Sequence, residues 1–209
     1  MNDANGPDSQ LLNDLLLRYA EDLRQLMEQK GVLESRAKDL DRLANYDALT
    51  SLPNRRLFLD RLAPMVSQSR RPEDSFTLIF IDLDGFKQIN DTLGHEIGDR
   101  VLQTVATRLV SSVRDTDTAA RLGGDEFVII ARTLVGDENI AGFCAKAIRI
   151  LTQPIESDGH QLSIGCSFGC AEYPRHGENE ITLLVHADAA MYLAKAAGGN
   201  TYRIYGRDP

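Results

Sequence analysis

The stretch TAARLGGDEFVIIAR, residues 118–132, decides the fold because its pattern is that of two short strands joined by a tight turn. Gly123 and Gly124 occupy the turn, and glycine tolerates the positive φ angles that tight hairpin turns require. Two carboxylates, Asp125 and Glu126, follow the glycines directly. The stretch therefore predicts a β-hairpin with an acidic tip.

A further strand, FTLIFID at residues 76–82, ends in the carboxylate of Asp82. Its β-branched and aromatic run is typical of a buried strand. If the hairpin pairs beside this strand, Asp82, Asp125 and Glu126 meet at one edge of the sheet. Such a cluster favours Mg²⁺, which binds one or two carboxylates together with substrate phosphates. Taken alone, a Gly-Gly-acid hairpin is more often a purely structural turn.

Helical and strand patterns alternate around this centre, which predicts one mixed α/β domain. Pro53 precedes Asn54, which we expect to cap the helix that follows. The predicted helices are 55–69, 84–93, 96–113, 139–151 and 181–196, and the remaining predicted strands are 162–172 and 201–205.

The cysteines and histidines give no metal or redox pattern. Cys166 and Cys170 lie four residues apart in a predicted strand and should face the same side. Together with Cys144, we expect them to be buried, reduced thiols. His95 is expected at a helix start, and the scattered remainder are expected at the surface: His160, His176 and His186.

An N-terminal helix with a heptad seam is predicted at residues 11–45. Apolar residues recur at alternating steps of four and three, and the d positions are Leu12, Tyr19, Leu26, Leu33 and Leu40. Leucine at d is typical of a parallel coiled coil. Lys30 in the seam and Gly31 beside it weaken the middle, because a buried ammonium must reach solvent and glycine costs about 1 kcal/mol in a helix. A single amphipathic helix packed on its own domain is the alternative.

The composition excludes several classes of protein. The chain has 209 residues and a formal net charge of -8, so duplex nucleic acid would be repelled overall. No apolar run approaches the roughly 18–20 residues that span a bilayer. Residues 1–10 are polar, lack the features of a secretory signal and are expected to form a flexible tail. We therefore expect a cytoplasmic protein with a tail (1–10), a stalk (11–45) and one domain (46–209).

Four ordered blocks resemble the GGDEF family of diguanylate cyclases over about residues 47–205. RLGGDEF matches the family signature letter for letter, and the blocks are DALTSLPNRR (47–56), FIDLDGFKQINDTLGHEIGD (80–99), RLGGDEF (121–127) and DAAMYLAKAAGGN (188–200). The resemblance implies a central mixed antiparallel sheet flanked by helices, similar to nucleotide cyclases and polymerase palm domains. It also implies that two GTP molecules condense to cyclic di-GMP and two pyrophosphates across a homodimer interface.

The resemblance assigns a catalytic centre to the three carboxylates Asp82, Asp125 and Glu126. It implies two Mg²⁺ ions per site, for which Mn²⁺ could substitute, held by Asp82, Asp125 and the backbone carbonyl of Leu83. Glu126 would help to activate the 3′-hydroxyl or to hold the metal.

The resemblance also implies a GTP site. Asn90 and Asp99 would bind the Watson–Crick edge of guanine, which predicts GTP rather than ATP. Phe86 and Lys87 begin a predicted helix and would bind phosphate through backbone amides and an ammonium. The full implied set is Phe86, Lys87, Asn90, Asp99, Gly123, Gly124 and Lys195.

Two further positions concern affinity and regulation. Arg114 and Asp117 form an RxxD pair at the family's spacing, which implies product inhibition by cyclic di-GMP; elsewhere such a pair is mostly a weak surface ion pair. Many family members carry a phosphate-binding arginine where this chain has Gly199. Its absence predicts GTP binding weaker by roughly 1.5–3 kcal/mol unless Arg203 substitutes.

Other functions stay open at this point. A non-catalytic sensor of GTP or cyclic di-GMP is disfavoured by the intact Asp82, Asp125 and Glu126, and an ATP-using or hybrid cyclase is disfavoured by Asp99. A regulatory protein bound to the stalk is compatible with activity. The sequence does not show whether dimers associate further into tetramers.

Overall fold

The computed structural model describes residues 7–68, 74–157 and 159–207. The boundary between two compact units falls between Ala44 and Asn45. Among the described residues, no helix combines the length and apolar character needed to cross a bilayer.

Helix α1, Pro7–Asn45, dominates the first unit. It begins four residues earlier than the predicted stalk, so the expected tail 1–10 is wrong for residues 7–10; residues 1–6 lie outside the described part. Proline is favoured in the first helical turn, where its missing N–H has no acceptor to lose. The large apolar side chains of the seam are exposed in the single chain, including Leu12 (59%), Leu26 (63%) and Leu40 (67%). Coiled-coil pairing therefore stays a prediction.

The second unit contains the mixed sheet. Its helices are α2 (Arg55–Gln68), α3 (Phe86–Leu93), α4 (His95–Ser112), α5 (Asp137–Leu151) and α6 (Glu180–Ala196). Its strands are β1 (Phe76–Asp84), β2 (Thr118–Gly123), β3 (Glu126–Ala131), β4 (Ile155–Ser157), β5 (His160–Leu162), β6 (Gly165–Tyr173) and β7 (Tyr202–Ile204).

Five of these strands form one sheet in the order β2-β3-β1-β6-β7. β1 is central and antiparallel to both β3 and β6, whereas β6 and β7 are parallel. β1 is buried on both faces along almost its whole length, which explains its uninterrupted apolar sequence. The predicted mixed α/β fold with a central, mostly antiparallel sheet is confirmed.

The two faces of the sheet carry separate cores because side chains alternate along each strand. Ile79, Ile81 and Leu83 belong to a core that also includes α4 and α5. Phe76, Leu78 and Phe80 belong to the other, which includes α2 and α6. By the same alternation, Asp82 lies on the α2/α6 side of β1.

The region around residue 160 differs from the prediction of one long strand at 162–172. β4 and β5 form a separate two-stranded sheet, and β6 starts only at Gly165. The connecting residues 158–159 are Asp-Gly, a sequence typical of two-residue hairpin turns, and Gly159 has φ +78°. This short-range signal was missed because the apolar pattern continues through Leu162 and Ile164.

The expected surface position of His176 is wrong. His176 is 8% exposed, and its Nδ1 accepts a hydrogen bond from the Glu172 backbone N–H at 3.0 Å. Half-buried His186 stacks on Tyr205 with ring centroids 3.7 Å apart. Through Tyr205, the segment after β7 therefore packs against His176 of the loop after β6 and against His186 of α6. The side chain of His160 lies outside the described part.

The cysteine prediction is confirmed. Cys144, Cys166 and Cys170 are free and buried in the same core. Burial raises the pKa of Cys166 to about 12, and the Sγ atoms of Cys144 and Cys170 lie 3.4 Å apart. Free cysteines at such depth act as small apolar groups.

Candidate active site

Asp82 lies near the end of β1, beside the hairpin tip. Its side chain is only 7% exposed, and its residue pairs directly with Glu126 of β3 in the antiparallel register. Directly opposed residues of neighbouring strands project on the same side of the sheet. The two carboxylates are therefore held on one face by the sheet itself, as the sequence predicted.

Lys195, in the last turn of α6, completes this arrangement. Its Nζ lies 2.5 Å from Asp82 Oδ1. Burial raises the pKa of Asp82 above its ordinary value, the Lys195 ammonium opposes that shift, and the charge of Asp125 adds to it. Among the described residues, buried Asp82 Oδ1 has no hydrogen bond of normal geometry. The ammonium therefore balances the charge of Asp82 without using all of its capacity to bind a ligand.

The hairpin tip presents backbone and a carboxylate at this edge. Gly123 has φ +150° and Gly124 φ +52°, and a Cβ at either position would meet nothing within 4 Å. The glycines thus serve the turn and leave its outer surface open to a ligand. Asp125 follows them and is half-buried.

Arg121 fixes the hairpin tip, a role that no sequence pattern indicates. Its Nε and Nη2 donate to the Gly124 carbonyl at 3.0 and 2.7 Å, while Nη1 donates to Asp47 Oδ1 at 2.9 Å. Burial alone would raise the pKa of Asp47, but hydrogen bonds from Thr50 and Arg121 hold it below its ordinary value. Asp47 and Arg121 both stand in family-like blocks, yet 74 residues separate them and no local pattern predicts their contact.

The residues expected to bind guanine lie on α3 and α4. Asn90 Oδ1 is buried and has no hydrogen-bond partner among the described residues, whereas Asp99 is exposed. A Cβ on Gly98 would lie 1.9 Å from Asn90 Oδ1, so glycine makes room for this amide. An unpartnered buried acceptor beside an exposed carboxylate suits a ligand with several N–H donors.

The expected phosphate contacts lie at the start of α3. Buried Phe86 is the first residue of the helix, and exposed Lys87 is the second. The Gln88 N–H donates to the Gly85 carbonyl at 3.0 Å, whereas the N–H groups of Phe86 and Lys87, earlier in the first turn, have no acceptor within the helix. They remain available to an anion, together with the Lys87 ammonium.

Asp84 anchors the loop that follows α6. Its Oδ1 accepts a hydrogen bond from Ser167 Oγ and its Oδ2 accepts one from the Asn200 backbone N–H, both at 2.7 Å. Gly199 has φ +71°, and a Cβ there would lie 2.7 Å from Asp84 Oδ2. Gly199 is therefore the close-packed neighbour of an anchored carboxylate. Arg203 donates to the Tyr202 carbonyl at 3.2 Å.

The RxxD residues have a local structural role. Asp117 accepts backbone hydrogen bonds from Arg114 and from Arg132, each at 3.0 Å. The exposed Arg114 side chain donates to Thr133 Oγ1 at 2.6 Å and not to Asp117. The pair is thus a fixed carboxylate beside an accessible guanidinium rather than the simple surface ion pair considered from sequence.

The donor set suits a metal only in part. Within residues 7–68, 74–157 and 159–207, no three acidic, histidine or cysteine side chains converge into a ready metal cluster. Mg²⁺, however, commonly takes only one or two carboxylates and completes its shell with substrate phosphates and water. The under-bonded Oδ1 of Asp82 and the nearby charge of Asp125 fit that pattern.

A cavity of about 290 Å³ opens beside Glu126, between α2 and α6. Its apolar lining is Phe58, Leu59, Phe80, Leu122, Leu184 and Val185. Three charged residues, Arg55, Glu126 and Asp188, also line it. No pattern in the sequence predicts this cavity.

Residues 44–201 match the family described as "Diguanylate cyclase, GGDEF domain". The chain is 43% identical over 168 residues to the bifunctional diguanylate cyclase/cyclic di-GMP phosphodiesterase MucR of Pseudomonas aeruginosa, covering 80% of this chain and 24% of MucR. The chain thus spans about a quarter of that curated relative, and 45% of the diguanylate cyclase TpbB from the same organism. The chain belongs to the GGDEF-domain family of diguanylate cyclases.

Two solved structures extend the likeness to the N-terminal helix. The coiled coil and GGDEF domain of DgcB from Caulobacter crescentus, in complex with c-di-GMP, has a TM-score of 0.77 at 27% identity and covers 91% of this chain and 98% of that one. Diguanylate cyclase SiaD from Pseudomonas aeruginosa, in complex with its activator SiaC, has a TM-score of 0.70 at 30% identity and covers 93% and 77%.

Proposed function

We propose that this chain is a diguanylate cyclase that condenses two GTP molecules into cyclic di-GMP and two pyrophosphates. The observation that carries the proposal is the pairing of Asp82 with Glu126 beside the glycine turn, with Lys195 2.5 Å from Asp82. Family membership supports the same reaction. GTP is a cytoplasmic nucleotide, so we place the reaction in the cytoplasm.

Substrate recognition divides between two ends of the site. Asn90 and Asp99 accept hydrogen bonds from the guanine N–H groups, which adenine cannot reproduce. The first turn of α3, with Phe86 and Lys87, binds phosphate oxygens, and Lys195 adds a second ammonium. Gly123 and Gly124 allow the nucleotide to lie close against the hairpin tip.

Asp82, Asp125 and the Leu83 carbonyl are the groups that would hold Mg²⁺, two ions per site, with Mn²⁺ as a substitute. The metal would supply acidity to the attacking hydroxyl and positive charge to the pyrophosphate. Glu126, which pairs with Asp82 in the sheet, would accept the proton of the 3′-hydroxyl or help to hold the metal.

The reaction requires two copies of the domain, since each site holds one GTP. Each 3′-hydroxyl must attack the α-phosphate of the other nucleotide, so two sites must face one another. We propose that residues 11–45 hold two chains together as a parallel coiled coil and raise the effective concentration of one site near the other. The coiled coil in the DgcB structure supports this role for the stalk.

Regulation is proposed at two places. Exposed Arg114 can bind guanine or phosphate of cyclic di-GMP through its planar guanidinium, and Asp117 has lone pairs left for the base. This would make the product an inhibitor. The stalk is also a proposed binding site for a regulatory protein, since its apolar residues are exposed and the related SiaD binds an activator.

Incubation of the purified chain with GTP and MgCl₂, followed by chromatography of the nucleotides, tests the function. We expect cyclic di-GMP from the wild type and none from Asp125→Ala with Glu126→Ala. Chelation with EDTA should stop the reaction, and excess Mg²⁺ or Mn²⁺ should restore it. GTP binding without product at any concentration would instead identify a non-catalytic sensor.

A further inference from the structure

The cavity beside Glu126 continues into an exposed stripe on α6. Ile181, Val185, Asp188 and Tyr192 follow one another at steps of four, three and four residues, and such spacing places them on one helix face. The apolar members are 75%, 57% and 69% exposed, respectively. Asp188 thus interrupts an otherwise apolar surface.

The charged side chains that line the cavity have no partners among the described residues of the chain. Across the described residues, the side chains of Arg55, Glu126 and Asp188 form no hydrogen bond or ion pair. Neighbouring Arg56, in contrast, lies 3.8 Å from Asp60. Opposite charges on the two helices that flank an apolar cavity, left unpaired, suit a partner surface with the same charges in exchanged positions.

A twofold contact supplies such a surface. In an isologous interface the same patch occurs on both subunits, so residue i meets residue j twice. Helix α2 of one copy would lie over α6 of the other, and an apolar side chain of the α6 stripe would enter the facing cavity. This complementarity matters because each chain carries a formal charge of -8 and two copies repel at long range.

We propose that the cavity and the α6 stripe form a contact between the catalytic domains of two copies, in which Arg55 pairs with Asp188 of the partner subunit. This inference rests on the proposed function, because that reaction brings two copies together at the edge that carries Glu126. The contact aligns the two sites, whereas the stalk only keeps the chains near each other.

Charge exchange tests the contact. Arg55→Asp and Asp188→Arg each place like charges opposite one another in a homodimer, and we expect each to lower the cyclase rate at least about tenfold. The double variant restores both pairs. A mixed dimer of the two single variants also restores both, because residue 55 of each chain then meets its opposite charge on the other chain.

The mixed dimer is obtained by co-expressing two differently tagged chains and purifying through both tags. Arg56→Asp is the matched control and should keep the wild-type rate. Binding of a non-hydrolysable GTP analogue should change less than twofold in every variant. Recovery in the double variant but not in the mixed dimer would place the pair within one chain and overturn the proposal. Wild-type rates in both single variants, or no recovery in either combination, would overturn it as well.

Cross-linking separates this inference from the proposed function. Arg55→Cys with Asp188→Cys should give a covalent dimer under mild oxidation with the GTP analogue and Mg²⁺ present. Arg56→Cys with Asp188→Cys should not, and the three native cysteines are buried and should not interfere. A dimer band together with a wild type that has no cyclase activity would support the proposed contact and refute the proposed function. Cyclase activity without the band or the rescue would retain the enzyme and refute the contact.

Discussion

Gly199 has a left-handed backbone, with φ +71°, and faces the anchored carboxylate of Asp84. An L-residue pays roughly 1–2 kcal/mol for this backbone conformation, and a Cβ at 199 would also approach Asp84 Oδ2 to 2.7 Å. Gly206 has a similar φ of +73° but nothing within 4 Å of its Cβ position. A comparison of substitutions at the two glycines therefore distinguishes the effect of backbone strain from that of steric crowding.

We expect Gly199→Ala to lower the melting temperature more than Gly206→Ala. The control, Gly206→Ala, has only the unfavourable backbone conformation, which corresponds to a fall in melting temperature of roughly 2–8 °C for a chain of this size. Gly199→Ala also brings a Cβ against Asp84, so its melting temperature should fall further. Thermal unfolding followed by circular dichroism measures both. Equal shifts would show that the loop moves aside freely.

His176 makes the stability of the domain depend on pH. Its Nδ1 accepts the Glu172 backbone N–H, which requires an unprotonated nitrogen. Burial lowers the pKa of His176; the charges of Arg175 and His186 lower it further, whereas Glu172 and Asp137 oppose the shift. The stabilisation by neutral His176 is therefore complete above the unfolded pKa of about 6.5 and is lost as the pH falls through the lower folded value.

We expect the free energy of unfolding to decrease between pH 7.5 and pH 5, and His176→Gln to flatten that decrease. Glutamine keeps an acceptor but does not titrate in this range. Urea titrations at several pH values provide the measurement, with exposed His95→Gln as control. An unchanged slope in the His176 variant would assign the acid sensitivity to other groups.

Single residues differ in how far the sequence could predict their surroundings. Asp82, Asp125 and Glu126 could be placed together because strand ends and a hairpin tip bring them to one edge. Asp47 could not be matched to Arg121, since ion pairing between distant segments has no local period. The burial of His176 was missed for the same reason: it involves an edge-on ring contact with Tyr205, which lies after β7 and meets His176 only through tertiary packing.

At the scale of elements, Arg121 links the segment after α1 to the β2–β3 hairpin. Its guanidinium contacts the Gly124 carbonyl and Asp47 together, and its backbone N–H donates to the Pro53 carbonyl at 2.9 Å. A lysine keeps the charge but lacks the planar fork that makes these bonds simultaneously.

We therefore expect Arg121→Lys to reduce kcat roughly tenfold with little change in GTP affinity, because a displaced hairpin tip affects alignment more than binding. Arg61→Lys is the matched control, since Arg61 is exposed and its Nη1 donates to Thr118 Oγ1 at 3.2 Å. Steady-state kinetics and a GTP-binding isotherm measure the two effects. A proportional loss of binding would mean that Arg121 supports the nucleotide site as a whole.

Most elements were predictable from sequence because their patterns are strong. The strand, Gly-Gly turn, strand pattern in residues 118–132 predicted the hairpin, and the apolar run from residue 76 predicted the central strand. Asn54 caps α2 as expected, accepting from the Leu57 N–H at 3.1 Å. The β4–β5 pair was not predicted, because strands of three residues are too short to show a clear hydrophobic period. The parallel pairing of β7 with β6 also depends on a crossover through α6, which no short pattern records.

At the scale of the whole molecule, the proposed reaction needs two chains, and the stalk seam should control their association. Leu26→Asp with Leu33→Asp puts charges at two predicted d positions, where a coiled coil would bury them at high cost. We expect monomeric chains by sedimentation and a cyclase rate per chain that rises with protein concentration. Leu17→Asp with Val32→Asp adds the same charges outside the seam and should leave both properties unchanged. A dimer that survives the seam variant would assign association to another surface.

The link between Asp84 and Asn200 joins positions 116 residues apart in the chain. During translation, at roughly 5–20 residues per second, about 6 to 23 s pass between synthesis of these two residues. Lys195, which meets Asp82, emerges from the ribosome just as late. A nascent chain would therefore carry the complete acidic hairpin for several seconds without its counter-charge or its anchored loop. On the proposed function, a nascent chain would therefore complete its nucleotide site only after residues 195–200 have been synthesised.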